Sequence, residues 1–183
     1  MIQFETGRQT LNPGKHFRYI ILIPILFPGF TYAAWETVTY TNVDTNLQTL
    51  VAHIENKDGY SLEIYRDAGD AVRARINMNN KNRLKEKTCP TYQVDNNNIL
   101  NRSINDAPCI SQREWAEFIL GYIIDNQVNS TQLNNLLNGN RITYRFILEN
   151  SGYATTSFSL KGSKQTLTDA LGHNLRIVPE ITE

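Results

Sequence analysis

The chain has 183 residues, in which 18 Lys plus Arg balance 18 Asp plus Glu. That length suits one domain with a buried core, and the even charge argues against nucleic acid as a partner, because such affinity rests on a surplus of cations facing phosphates. Two cysteines without a CxxC, and no paired histidines, give no reason to expect a zinc site.

From the N-terminus, the first feature is FRYIILIPILFPGFTYAAWE (17–36), the one strongly apolar run. Arg8, Lys15, His16 and Arg18 precede its apolar block, against the single acid Glu5. The apolar block Tyr19–Phe30 has twelve residues, short of the roughly 20 that a helix needs to cross a bilayer. Pro24 and Pro28 would weaken such a helix further. A basic stretch, a short apolar block and a small-residue exit are the three parts of a secretory signal peptide. Thr31 and Ala33 are the small pair that place the cut between Ala33 and Ala34. The expectation is a signal peptide over 1–33 and a single exported domain over 34–183, in the periplasm or secreted. No transmembrane segment is expected after processing; the alternative is tethering by an uncleaved N-terminal segment.

The remainder reads mainly as strands. WETVTYTNV (35–43) is rich in β-branched and aromatic residues, and LQTLVAHIE (47–55) follows as a second strand. In 60–78, Leu62 and Ile64 alternate with Glu63 and Tyr65. Beyond the turn DAGD, Val72, Ala74, Ile76 and Met78 alternate with Arg73, Arg75 and Asn77. A period of two sends one set inward and the other outward, so this is the clearest hairpin. NNKNRLKEK (79–87) reads as a polar loop, TCPTYQVD (88–95) as a short strand, and NNNILNRSINDAP (96–108) as a long loop.

The period changes at SQREWAEFILGYI (111–123). Trp115, Phe118, Ile119, Tyr122 and Ile123 fall at helical spacing, and Ser111 with Glu114 forms a capping box. The spacing predicts a helix, with a strand from Phe118 to Ile124 as its rival. NSTQLNNLLNGN (129–140) predicts a short helix capped by Ser130 and ended by Gly139. RITYRFILE (141–149) and YATTSFSL (153–160) read as a strand pair turned by NSG. GSKQTLTDALG (162–172) predicts a last helix capped by Ser163 and closed by Gly172, and LRIVPEIT ends as strand or tail. The fold class is therefore mainly β, a β-sandwich or barrel-like domain with two or three short helices; an α+β domain is the alternative.

In an oxidising compartment Cys89 and Cys109, the only two cysteines, are expected to form a disulfide that closes the loop between them. No G-x-S-x-G, H-E-x-x-H, P-loop or Rossmann signature occurs, so no catalytic residue, metal ligand or cofactor is assigned. His53 lies within a strand-like run and His173 follows a helix-ending glycine. Neither stands beside a nucleophile in sequence, and Ser163 near Lys164 reads as a cap rather than half of a Ser–Lys dyad. Arg73, Arg75, Lys81, Arg83, Lys85 and Lys87 form the one basic cluster. It suits an anionic partner or, more plainly, a solvated face that resists edge-to-edge pairing. Tyr65 and Tyr92 are the aromatics expected to stand exposed on a binding face. NRS (101–103) and NST (129–131) match the N-glycosylation pattern.

The C-terminal half carries a cysteine-containing segment ahead of LNNLLNGN, the strand–turn–strand ITYRFILENSGYATTSFSL, and then LKGSKQTLTDAL. In these features it resembles the invasion-associated locus B family of small exported bacterial proteins. The resemblance implies a non-enzymatic periplasmic β-rich protein with a role in envelope fitness or host-cell invasion, and it hands over no catalytic residue. The functional expectation is an exported bacterial domain that binds an unknown protein or envelope component. The alternative is an envelope hydrolase, or an inhibitor of one, whose site assembles only in three dimensions.

Overall fold

A computed structural model describes residues 33–97 and 109–180. Residues 1–32, which hold nearly all of the predicted signal peptide, and 98–108, which hold the NRS pattern, lie outside the described residues. In chain order the elements are β1 (Glu36–Thr41), β2 (Gln48–Glu55), β3 (Ser61–Arg66), β4 (Ala71–Asn77), β5 (Thr91–Val94) and β6 (Cys109–Ser111). They continue as β7 (Trp115–Ile124), β8 (Gln127–Asn129), α1 (Thr131–Asn138), β9 (Arg141–Ile147), β10 (Tyr153–Ser159), α2 (Ser163–Leu171) and β11 (Arg176–Val178). A large sheet runs β1-β2-β3-β4-β7-β8-β11, with β6 added beside β7, and a small sheet runs β10-β9-β5. Neither closes into a barrel, so the fold is mainly β with two short helices.

The alternating pattern of the sequence accounts for the layers. In the large sheet, Ala52 and Ile54, Leu62 and Ile64, Val72, Ala74 and Ile76, and Ala116 and Phe118 are buried on one face. The small sheet meets them with Tyr92, Val94, Ile142, Tyr144, Phe146 and Phe158. Phe118 and Tyr92 join the two sheets edge to face at 5.4 Å between ring centroids, and Tyr144 lies 5.7 Å from Tyr92. Tyr92 is thus a core residue at 2% exposure, which corrects its expected place on a binding face. It sits on the inward parity of a short strand whose opposite residues, Thr91 and Gln93, are the polar ones. Leu133 and Leu136 of α1 and Leu167, Ala170 and Leu171 of α2 complete the core.

Cys89 and Cys109 form the expected disulfide, with 6.2 Å between their Cα atoms. Cys89 lies just ahead of β5 in the small sheet and Cys109 begins β6 in the large one, so the bridge staples the two sheets together. Closing about 20 residues this way is worth about 3 kcal/mol of unfolded-chain entropy.

Where a helix was expected over 111–123, the chain forms β6, a short connection and the ten-residue strand β7. The helical spacing of Trp115, Phe118, Ile119 and Tyr122 coexists with an alternation that tertiary pairing selects. Ala116, Phe118 and Leu120 are buried, whereas Trp115 and Ile119 are half-buried on the other face. β7 is flanked by β4 from Trp115 to Tyr122, by β6 on its other edge, and by β8 at its end. Those ladders satisfy its backbone as well as a helix would and also bury an apolar face. Ser111, assigned to a capping box, instead sits in β6 with its hydroxyl buried and without a hydrogen-bond partner.

The helix ends follow the expectations in part. Ser130 caps α1 by accepting the Leu133 N–H at 3.1 Å, and Gly139 closes it. A Cβ on Gly139 would collide with Val94, so a glycine is required where α1 ends against β5. At α2 the cap position belongs to Gly162, in the left-handed conformation at φ +86°. Ser163 is already helical and its buried hydroxyl has no partner, so it does not cap the helix. The C-terminal segment settles as β11, which pairs in parallel with β8.

Candidate functional site

The outward face of the large sheet follows from the same alternation. Pairing sets Glu36 opposite His53, His53 opposite Glu63, Glu63 opposite Arg75, and Arg75 opposite Glu117. The next row sets Val51, Tyr65, Arg73 and Ile119 side by side. Although this face is the outer one, Glu63 and Glu117 are buried, at 7% and 5% exposure. The long side chains around them explain why.

Glu117 accepts the Tyr65 hydroxyl at 2.5 Å, the Arg73 guanidinium at 2.8 Å and Arg75 Nε at 2.9 Å. Arg73 also donates to Asp67 at 2.5 Å, and Tyr40 donates to Glu63 at 2.9 Å. Arg75 lies over the Trp115 ring at 4.8 Å from its centroid, a distance at which a cation is attracted to the π face. Burial alone would push the Glu117 carboxyl up, but the Tyr65 hydroxyl and the two arginines outweigh it and hold the group below its ordinary value. Burial and then the bond to Glu117 push the Tyr65 hydroxyl far up. Burial and then Glu63 raise Tyr40 as well. The Glu117 carboxyl is held ionised and the Tyr65 and Tyr40 hydroxyls are held protonated, so no group of this network is tuned to change protonation near neutral pH. A general acid or base needs the opposite tuning.

Toward the far end of β7 the face becomes a hollow. The register slips between Val72 and Arg73, β4 pairs with β7 as far as Tyr122, and β8 pairs with Ile123 and Ile124 on the other side of β7. A Cβ on Gly121 would stand 2.7 Å from Val128 Cγ2, so only glycine lets β8 approach here. The opening beyond encloses about 710 Å³ and is lined by Ile119, Tyr122, Ile124, Asp125, Arg176 and Glu180, with Gln127 and Asn129 among its polar neighbours. Arg176 donates to Gln127 at 2.6 Å and Gln127 donates to Asn129 at 2.9 Å, so its polar wall is pre-ordered. Tyr122 and Ile124 project with 55% and 69% exposure. Ile119 borders both the charged network and the hollow, which makes them one continuous surface along β7.

The predicted basic cluster divides across this structure. Arg73 and Arg75 belong to the network above, each paired with a carboxylate. Lys81, Arg83, Lys85 and Lys87 lie in the loop beyond β4, where Arg83 bonds the carbonyls of Asn79 and Asn82 and stands 3.7 Å from Glu114. Lys81, Lys85 and Lys87 are exposed. Glu86 and Glu149, both bound to Arg113, interleave with the loop. His53 meets Glu36 at 3.2 Å, and His173 lies 3.7 Å from Asp169 at the end of α2. The two are on separate elements and share no site. Among the described residues no group of three or more His, Cys, Asp or Glu is placed to hold a metal. No helix among them is long and apolar enough to cross a membrane.

Comparison with family models, with curated proteins and with solved structures returns no match. The surface along β7 is not legible in the sequence, because Trp115, Phe118, Ile119 and Tyr122 fall at helical spacing. The available signal was the odd-numbered set Trp115, Glu117 and Ile119 set against Ala116, Phe118 and Leu120.

Proposed function

We propose that this chain is an exported bacterial protein that acts by binding, and that the outer surface of β7, from Trp115 to the hollow at Tyr122 and Ile124, receives the partner. The observation that carries the reading is the join, on one sheet face, between a fixed-charge network and an open hollow that sets the exposed Tyr122 and Ile124 beside a polar wall. A rigid polar platform beside exposed apolar anchors is how protein interfaces combine orientation with affinity. The disulfide supports export, since such bonds persist in oxidising compartments. The resemblance to the invasion-associated locus B family points the same way and suggests an envelope or host-facing partner.

The test is capture from envelope extract by the full chain, by a Tyr122→Ala/Ile124→Asp double variant, and by a loop variant with Lys81, Arg83, Lys85 and Lys87 changed to Glu. The double variant is expected to lose the partner that the other two retain. Loss in the loop variant alone would move the site to the basic loop, and equal capture by all three would end the proposal. The hydrolase alternative draws on Asp125 and Glu180, the two carboxylates beside the hollow. Hydrolysis of envelope polymers that disappears in Asp125→Asn or Glu180→Gln would favour it instead.

A further inference from the structure

We propose that the edge of β1 away from β2, which no strand among the described residues pairs with, pairs with β1 of a second copy of this chain, in an antiparallel two-fold arrangement that merges the two large sheets into one. This inference is independent of the binding surface on β7.

It begins with the hairpin between β1 and β2. Asn42 N–H donates to the Leu47 carbonyl at 2.9 Å, which marks this pair as a hydrogen-bonded one. In an antiparallel ladder such pairs alternate, so Tyr40–Thr49, Val38–Val51 and Glu36–His53 are also hydrogen-bonded across the hairpin. Thr37, Thr39 and Thr41 therefore turn their N–H and C=O groups away from β2, toward the open edge. Edge strands are ordinarily defended by lysine, proline, a bulge or shortness. β1 has six residues in continuous register, with no lysine, no proline and no bulge, and its one charge is Glu36 at its start.

The other edges differ. β5, β6 and β11 have only four, three and three residues. β10 is seven residues long, but its outward carbonyls at Ser157 and Ser159 are taken by Asn56 Nδ2 at 3.1 Å and by Trp35 Nε1 at 2.7 Å.

Self-complementarity selects the occupant and the register. With Thr39 on the two-fold axis, Thr39 faces Thr39 of the other copy, and Thr37 of each faces Thr41 of the other. All three outward residues then meet outward residues, for six backbone hydrogen bonds. Val38 of each copy falls opposite Tyr40 of the other at the closer, non-hydrogen-bonded positions. β-branched residues and aromatics pair well there, as do threonines. The Tyr40 ring is already held by its hydroxyl on Glu63. No like charges face each other, and a slip of two residues leaves Thr37 or Thr41 without a strand residue opposite.

The experiment is sedimentation velocity of the full chain over a range of concentrations, joined to cysteine cross-linking. A species of twice the single-chain mass is expected to grow with concentration. Thr39→Pro, whose missing N–H is one that faces outward, and Thr39→Lys, which keeps every backbone group, should both sediment as single chains with thermal midpoints near the parent's. Under air oxidation Thr39→Cys should form a covalent dimer, because hydrogen-bonded partners sit about 5.5 Å apart at Cα. Thr37→Cys alone should not, while a mixture of Thr37→Cys with Thr41→Cys should. A single-chain species at every concentration, a dimer that survives Thr39→Pro and Thr39→Lys, or efficient cross-linking through Thr37→Cys alone would each overturn the proposal.

Discussion

Replacing Glu117 by alanine removes the acceptor on which three side chains converge. Tyr65, Arg73 and Arg75 would lose bonds of 2.5, 2.8 and 2.9 Å. Hydrogen bonds to charged groups contribute about 1.5–3 kcal/mol each where solvent is excluded. The Arg73 and Arg75 side chains are 23% and 33% exposed, so water replaces part of what they lose. Arg73 also keeps Asp67. The expected net loss is about 2–4 kcal/mol, which lowers the thermal midpoint by roughly 4–16 °C in a chain of this size. Glu117→Gln keeps the shape and one carbonyl acceptor and should lose about half as much. Acid sharpens the test. The Glu117 carboxyl is held below its ordinary value of 4.5 in the fold. Its contribution is therefore complete above that value and is lost as pH falls through the lower folded value. Urea unfolding of parent and Glu117→Gln should show a gap that is constant near neutrality and narrows below about pH 4.5. A Glu117→Ala variant within 0.5 kcal/mol of the parent, on the order of ordinary surface changes, would refute the idea that this network stabilises the sheet.

Removing the staple between the sheets, by Cys89→Ser with Cys109→Ser, should cost about 3 kcal/mol in denaturant unfolding; a reductant should weaken the parent equally and leave the double variant unchanged. Gly121→Ala should cost about 1–3 kcal/mol through overpacking against Val128, and hydrogen exchange should locate the loosened backbone at β8 and β11. Changing Lys81, Lys85 and Lys87 to glutamate should leave stability within about 0.5 kcal/mol, because their side chains are exposed; a larger loss in thermal unfolding would show that the loop supports the fold.

The strands legible in the sequence share one cause. In 60–78 the alternation is long and its two faces differ sharply in polarity, so local pattern and tertiary burial agree. The two helices that formed, α1 and α2, carry leucines on one face and glycines at their ends. β7 failed because it is apolar on both parities: Ala116, Phe118 and Leu120 enter the core, while Trp115 and Ile119 build the outer surface. A segment apolar on both sides satisfies helical spacing as readily as strand spacing. Tyr92 was misplaced for a related reason, since a four-residue strand offers too few positions to show which parity is inward. The candidate surface was hidden with β7. Arg73 and Arg75 were picked out as cations in the sequence, but their partner Glu117 is more than 40 residues away, and only the pairing of β4 with β7 makes them a neutral network rather than an anion site. The hollow could not be read at all, because it depends on a register slip and on β8 and β11 meeting in parallel.

The most direct measurement is photo-cross-linking in living cells, with a photoreactive phenylalanine derivative at position 122 and, as a control, at the exposed Lys57 in the turn between β2 and β3. A partner that binds along β7 should give a discrete adduct at 122 and none at 57. No adduct at 122, or the same adducts at both positions, would contradict a binding role for this face.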